Sequence, residues 1–85
     1  MPPVTIYTTS WCPYCRAAKA LLTKKGVDFT EIDVDGKPEL RQAMTARAGG
    51  RTSVPQIFIG ETHVGGSDDI HALDATGKLD VLLAA

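Results

Sequence analysis

Cysteine is scarce in this chain: among 85 residues there are two, Cys12 and Cys15. One pair cannot supply the multiple-disulfide framework that holds small secreted domains together, and it leaves zinc short of ligands. A structural zinc site takes four protein ligands and a catalytic one three plus water, whereas the only histidines, His63 and His71, lie eight positions apart. Long apolar runs are missing too: nothing approaches the roughly 18 residues needed to cross a bilayer. The opening residues Met1-Pro2-Pro3-Val4 carry neither the basic nor the apolar region of a secretion signal, so a cytoplasmic location is expected. Nor does one sign of charge dominate. Nine basic against ten acidic side chains give a formal net charge of −1, which offers no bulk attraction to nucleic acid or to an acidic membrane. No metal, nucleic acid or membrane partner is therefore expected.

What remains is an ordinary hydrophobic fraction of 44% in a length that suits one small domain, residues 1–85, expected to act as a monomer. Val4 to Thr8 is β-branched and aromatic and reads as a strand. Pro13 then fits the first turn of a helix, with Ala17, Ala18, Leu21 and Leu22 as its apolar stripe and Gly26 as its stop. Val27 to Val34 reads as a second strand. Asp35 is expected to cap a second helix that carries Pro38 in its first turn and turns Leu40, Ala43 and Met44 inward, ending before Gly49-Gly50. Val54 to Ile59 and Thr62 to Val64, separated by Gly60-Glu61, form a hairpin signal. Ser67-Asp68-Asp69 opens a third helix with Ile70 and Leu73, and Gly77 separates it from a last turn carrying Leu79, Leu82 and Leu83. The order is β-α-β-α-β-β-α plus a short C-terminal helix, an α/β class with a four-stranded mixed sheet flanked by helices.

Cys12-Pro13-Tyr14-Cys15 falls at the first strand-to-helix junction. A sulfur at Cys12 would meet unpaired N–H groups and the positive end of the helix dipole, both of which favour a thiolate. A thiol stabilised in that form also departs faster from a mixed disulfide. Cys15, one turn inside, would be the resolving thiol; the bland reading is an inert buried cysteine. Val54-Pro55 is the second candidate element. A proline at a strand start has no N–H for the ladder and holds Val54 extended, which frees the Val54 amide and carbonyl to pair with a visiting peptide. The third is Gly65-Gly66-Ser67-Asp68, where helix amides suit a carboxylate and Asp68 suits an ammonium, unless Ser67 and Asp68 merely cap the helix. Tyr14 is divided between bordering a groove and packing on a loop. Arg16 and Lys19 read as a solvated helix face.

The tetrad, Ser53-Val54-Pro55-Gln56-Ile57-Phe58-Ile59 and Gly65-Gly66-Ser67-Asp68-Asp69, in that order over essentially the whole chain, resemble the bacterial dithiol glutaredoxins of the glutaredoxin 3 type. The resemblance implies a thioredoxin fold, with the peptide bond before Pro55 cis and facing the dithiol. It also implies catalysis by Cys12 as nucleophile and Cys15 as resolver, and glutathione bound by Tyr14, Arg51, Val54, Pro55, Gly66, Ser67 and Asp68, with Arg51 assigned to the glycine carboxylate. Glutathione would be co-substrate, with no permanently bound cofactor. The implied clients are glutathionylated and disulfide-containing proteins, ribonucleotide reductase among them. Two positions depart from the family: Thr9 stands where many relatives have lysine, and Ser53 where threonine is usual. Two other readings share the fold, a redoxin served by thioredoxin reductase and a glutathione-ligated iron-sulfur carrier. Pro13 stiffens the loop against the second.

Overall fold

A computed structural model describes residues 2–85. Its elements are β1 (Val4–Thr8), α1 (Pro13–Lys24), β2 (Thr30–Asp33), α2 (Pro38–Arg47), β3 (Gln56–Ile59), β4 (Thr62–Gly65), α3 (Ser67–Ala75) and α4 (Lys78–Ala84). The sheet order is β2-β1-β3-β4. β1 runs parallel to β2, and the β1/β3 and β3/β4 pairs are antiparallel. Alternation along the strands builds two cores. Val4 and Ile6 of β1 join Ile57 and Ile59 of β3 on the face covered by Ala18, Leu21 and Leu22 of α1, Ile70 of α3, and Leu79 and Leu83 of α4. Tyr7 and Phe58 point the other way, onto Met44 of α2 with Val34 and Ala48. At about 1.5–3 kcal/mol for each large apolar side chain fully buried, the first face carries most of the hydrophobic stabilisation.

Several boundaries differ from the sequence expectation for identifiable reasons. β2 begins at Thr30 because Val27 is spent on closing α1: Gly26 at φ +71 lets its own N–H reach Thr23 O at 2.9 Å and the Val27 N–H reach Leu22 O at 3.1 Å, the paired bonds of a Schellman cap. Asp35 does not cap α2. Lys37 holds that position with no side-chain bond, and Asp33 Oδ1 instead accepts the Asp35 N–H at 2.8 Å to tighten the turn. Leu40 and Ala43 are exposed, so the apolar contact of α2 with the sheet is the narrow seam of Met44 and Ala48, one turn apart, beside which Arg47 lies over the Phe58 ring at 4.0 Å and donates through Nη1 to Tyr7 OH at 3.1 Å. Ala17 likewise falls outside the buried stripe of α1. β3 starts at Gln56, just past Pro55, which has no N–H to offer the ladder.

Candidate active site

The end of β1 and the start of α1 place the dithiol. Trp11 takes φ +58, an outlying conformation for a bulky residue, and is 88% exposed, with the Arg16 guanidinium 5.9 Å over its ring. Cys12 is the N-cap of α1, in extended conformation, and its Sγ accepts the Cys15 N–H at 3.1 Å. Pro13, with no N–H to satisfy, occupies the first helical position. Cys12 is partly exposed and Cys15 buried, both as free thiols. Burial, reinforced by the hydrogen bond with Cys12, pushes the Cys15 thiol up to about 12, against weaker opposition from the Thr9 backbone and the Lys19 charge. One sulfur is partly exposed and held on the Cys15 amide, and its neighbour is buried and held back as a thiol.

All seven expected glutathione-site residues, Tyr14, Arg51, Val54, Pro55, Gly66, Ser67 and Asp68, line one open groove of about 270 Å³, and Asp69 joins them. The Val54-Pro55 peptide bond is cis, as the resemblance implies. Behind it Gln56, fully buried, donates through Nε2 to Ser53 O at 3.0 Å, while its Oε1 meets His63 Nε2 at 2.7 Å. Arg41 Nη1 donates to Thr52 O at 2.7 Å. The loop is thus braced from the sheet and from α2, and no turn or loop hydrogen bond among the described residues engages the Val54 N–H or C=O.

Capping of α3 falls to Asp69, not to Ser67 or Asp68. Asp69 Oδ2 accepts the Gly66 N–H at 2.8 Å and faces Arg51 Nη1 at 3.2 Å, and these two contacts, the first larger, hold its carboxyl below the usual range. Asp68 stays exposed, with no ion pair or side-chain hydrogen bond among the described residues. Gly65, at φ +112, is required twice over: a Cβ there would run into the Asp69 carboxylate and come within 2.9 Å of Arg51 Nη1. Arg51 therefore lies against Gly65-Gly66, at the α3 end of the groove. Tyr14, 65% exposed, borders the groove rather than packing away.

A second cavity, of about 140 Å³, is lined by both cysteines, Thr9, Lys19 and Glu31. Lys19 is not simply a solvated residue, since its Nζ meets Glu31 Oε2 at 2.9 Å. The sequence reading missed Trp11, Glu31 and Asp69. Only Asp69 had a local signal, three positions past Gly66 where a side chain can reach back to the cap. No cluster of three metal-ligating side chains forms among the described residues.

A parallel β-α-β unit joined to an antiparallel hairpin, with an exposed and a buried thiol on the first helix and a cis-proline loop beside them, defines a thioredoxin-fold dithiol oxidoreductase. Comparison with known proteins narrows the class. The glutaredoxin family model matches residues 4–64, and the chain belongs to the glutaredoxin family. It is 71% identical over 85 residues to a glutaredoxin of Pseudomonas aeruginosa, covering 100% of both chains. To glutaredoxin 3 of Escherichia coli K12 it is 57% identical over 83 residues, covering 98% of this chain and 99% of the relative. The crystal structure of a buckwheat glutaredoxin–glutathione complex superposes with a TM-score of 0.87 at 26% identity, over 98% of this chain and 77% of that one. Thiol-disulfide exchange is thus the chemistry of this site.

Proposed function

We propose that this glutaredoxin draws its electrons from glutathione and removes glutathione from mixed disulfides. The observation that carries the reading is the single groove that joins a Val54 backbone free of turn or loop hydrogen bonds among the described residues, an α3 N-terminus and the unpaired Asp68 beside the tetrad's Tyr14. The cysteinyl backbone of glutathione pairs with the Val54 N–H and C=O. Its γ-glutamyl carboxylate takes the amides opening α3 together with Arg51, and its ammonium takes Asp68. This puts Arg51 at the γ-glutamyl end, in place of its first assignment to the glycine carboxylate, because the guanidinium lies against Gly66. Arg51 is the only cation lining the groove among the described residues. With Thr9 where relatives carry lysine, the glycine carboxylate has no partner there and binding is weaker at that end. The buckwheat glutaredoxin, solved as a complex with glutathione, supports the same reading by likeness of fold.

The Cys12 thiolate attacks the glutathione sulfur of a glutathionylated client. The client thiolate leaves and takes a proton, and Cys12 carries the glutathione. A second glutathione thiolate then attacks that sulfur, forms glutathione disulfide and returns Cys12. Disulfide-containing clients need Cys15 to displace them from Cys12, and ribonucleotide reductase is one client of this kind that the resemblance implies. The chain works as a single-domain monomer in the cytoplasm with no resident cofactor.

The test is reduction of a small glutathione mixed disulfide coupled to glutathione reductase, following NADPH. Activity lost in Cys12→Ser and kept in Cys15→Ser is expected. An inactive intact protein that thioredoxin reductase nevertheless reduces would overturn the reading in favour of a redoxin. A dimeric, coloured product of anaerobic iron-sulfur reconstitution would overturn it in favour of a cluster carrier.

A further inference from the structure

Glutathione handling accounts for the groove lined by Tyr14, Val54 and Asp68 but leaves unexplained the cavity that both cysteines line. Lys19 follows Cys15 by four positions, which places it one turn along on the same face of α1, and both residues line that cavity. Across it stands Glu31, from the second position of β2. Its Oε2 takes two hydrogen bonds, from Thr8 Oγ1 at 2.7 Å and from Lys19 Nζ at 2.9 Å. Thr8 is buried and fixed at the end of β1, so the carboxylate is pinned from the sheet side and in turn fixes the ammonium. These two bonds, Thr8 first, also hold the Glu31 carboxyl below its usual range, which keeps it ionised and makes it a poor proton acceptor. The charged and titratable groups around the cavity are Cys12 at the N-cap of α1, Cys15, Arg16 and Lys19 within it, and Glu31 and Asp33 from β2; β1 and its following loop contribute the uncharged Thr8, Thr9, Ser10 and Trp11.

We propose that the Lys19–Glu31 pair tunes Cys15 as the attacking thiol in opposite directions: the Lys19 ammonium favours its thiolate, Glu31 offsets that charge, and their balance sets how often turnover takes the dithiol route. The step it controls is intramolecular. Cys15 loses its proton to solvent, its thiolate attacks Cys12 Sγ, the Cys12–Cys15 disulfide forms, and the bond from Cys12 to the departing thiolate breaks. Lys19 and Glu31 act through Cys15 and are positioning residues. Their side chains are 32% and 39% exposed, so solvent and salt screen the effect without removing it. The inference rests on the roles assigned to Cys12 and Cys15 but not on glutathione.

The experiment uses the reduced protein and an aromatic disulfide with a coloured thiolate. Loading Cys12 releases one equivalent of colour, and attack by Cys15 releases the next. Cys15→Ser must abolish the second phase alone. Each tenfold change in thiolate fraction should alter that phase by about threefold, because intrinsic nucleophilicity moves the other way with a coefficient near 0.4–0.5. Lys19→Gln is expected to slow the second phase, Glu31→Gln to accelerate it, and Lys19→Arg to restore it. Both shifts should shrink as ionic strength rises from about 0.01 M to about 1 M, where the screening length falls from about 30 Å to about 3 Å. A loosened fold that exposed Cys15 would also accelerate this phase, but without the dependence on ionic strength that a charge effect carries. Slowing by both variants, no change in either, or a change confined to the first phase would overturn the proposal. Its failure is separable from failure of the glutathione reading, since no glutathione is present.

Discussion

Burial holds Cys15 protonated past the range in which an exposed thiol ionises, and this has a cost at high pH. Its folded value, about 12, lies above the reference of 9.0. Between those two the unfolded chain binds fewer protons than the folded one, so stability falls as pH rises through about 9 to 12 and is unaffected below. A loss of about 1 kcal/mol by pH 10 is expected for the reduced protein, absent in Cys15→Ala, when urea midpoints at pH 7 and pH 10 are compared. Gly65 is as tightly constrained. Gly65→Ala should cost about 1–3 kcal/mol from its left-handed backbone and crowding, and it should raise KM for a glutathionylated substrate by displacing Arg51 and Asp69. Thr9→Lys should do the reverse, lowering that KM by about two- to fivefold in low salt, as one partly exposed ion pair allows.

Among the elements, α2 is the least firmly attached. Besides Arg47 on Phe58 and Tyr7, its apolar contact with the sheet is Met44 and Ala48, whereas α1 buries Cys15, Ala18, Leu21 and Leu22. Met44→Ala should cost about 2–5 kcal/mol, read as a shift in chemical denaturation. The sequence conveyed α1 well because its stripe, proline and glycine all agree, and it conveyed the order of the strands for the same reason. It misplaced Leu40 and Ala43 because helical spacing shows that residues share a face, not how much of that face the sheet can cover. The groove residues were legible because motifs mark them. Glu31 was not, because both its partners are far along the chain, Thr8 at 23 positions and Lys19 at 12; of Asp69's two contacts the local one to Gly66 had a signal and the one to Arg51, 18 positions away, had none.

Over the whole molecule the two faces of the sheet are unequal, the α1, α3 and α4 side carrying the larger core. Opening is therefore expected to begin on the α2 face. Native-state hydrogen exchange should show α2 amides exchanging at lower free energy than those of β1, β3 and α1. The active site straddles the division, with the dithiol on the firm side and the Thr52–Pro55 loop joined to α2 through Arg41. One further property follows from Trp11. It is the chain's sole tryptophan, and it stands next to Cys12 with its indole in water. Excited where the tyrosines do not absorb, the protein's fluorescence is consequently a signal from the site alone, and changes at the neighbouring sulfur can be followed in real time without a label.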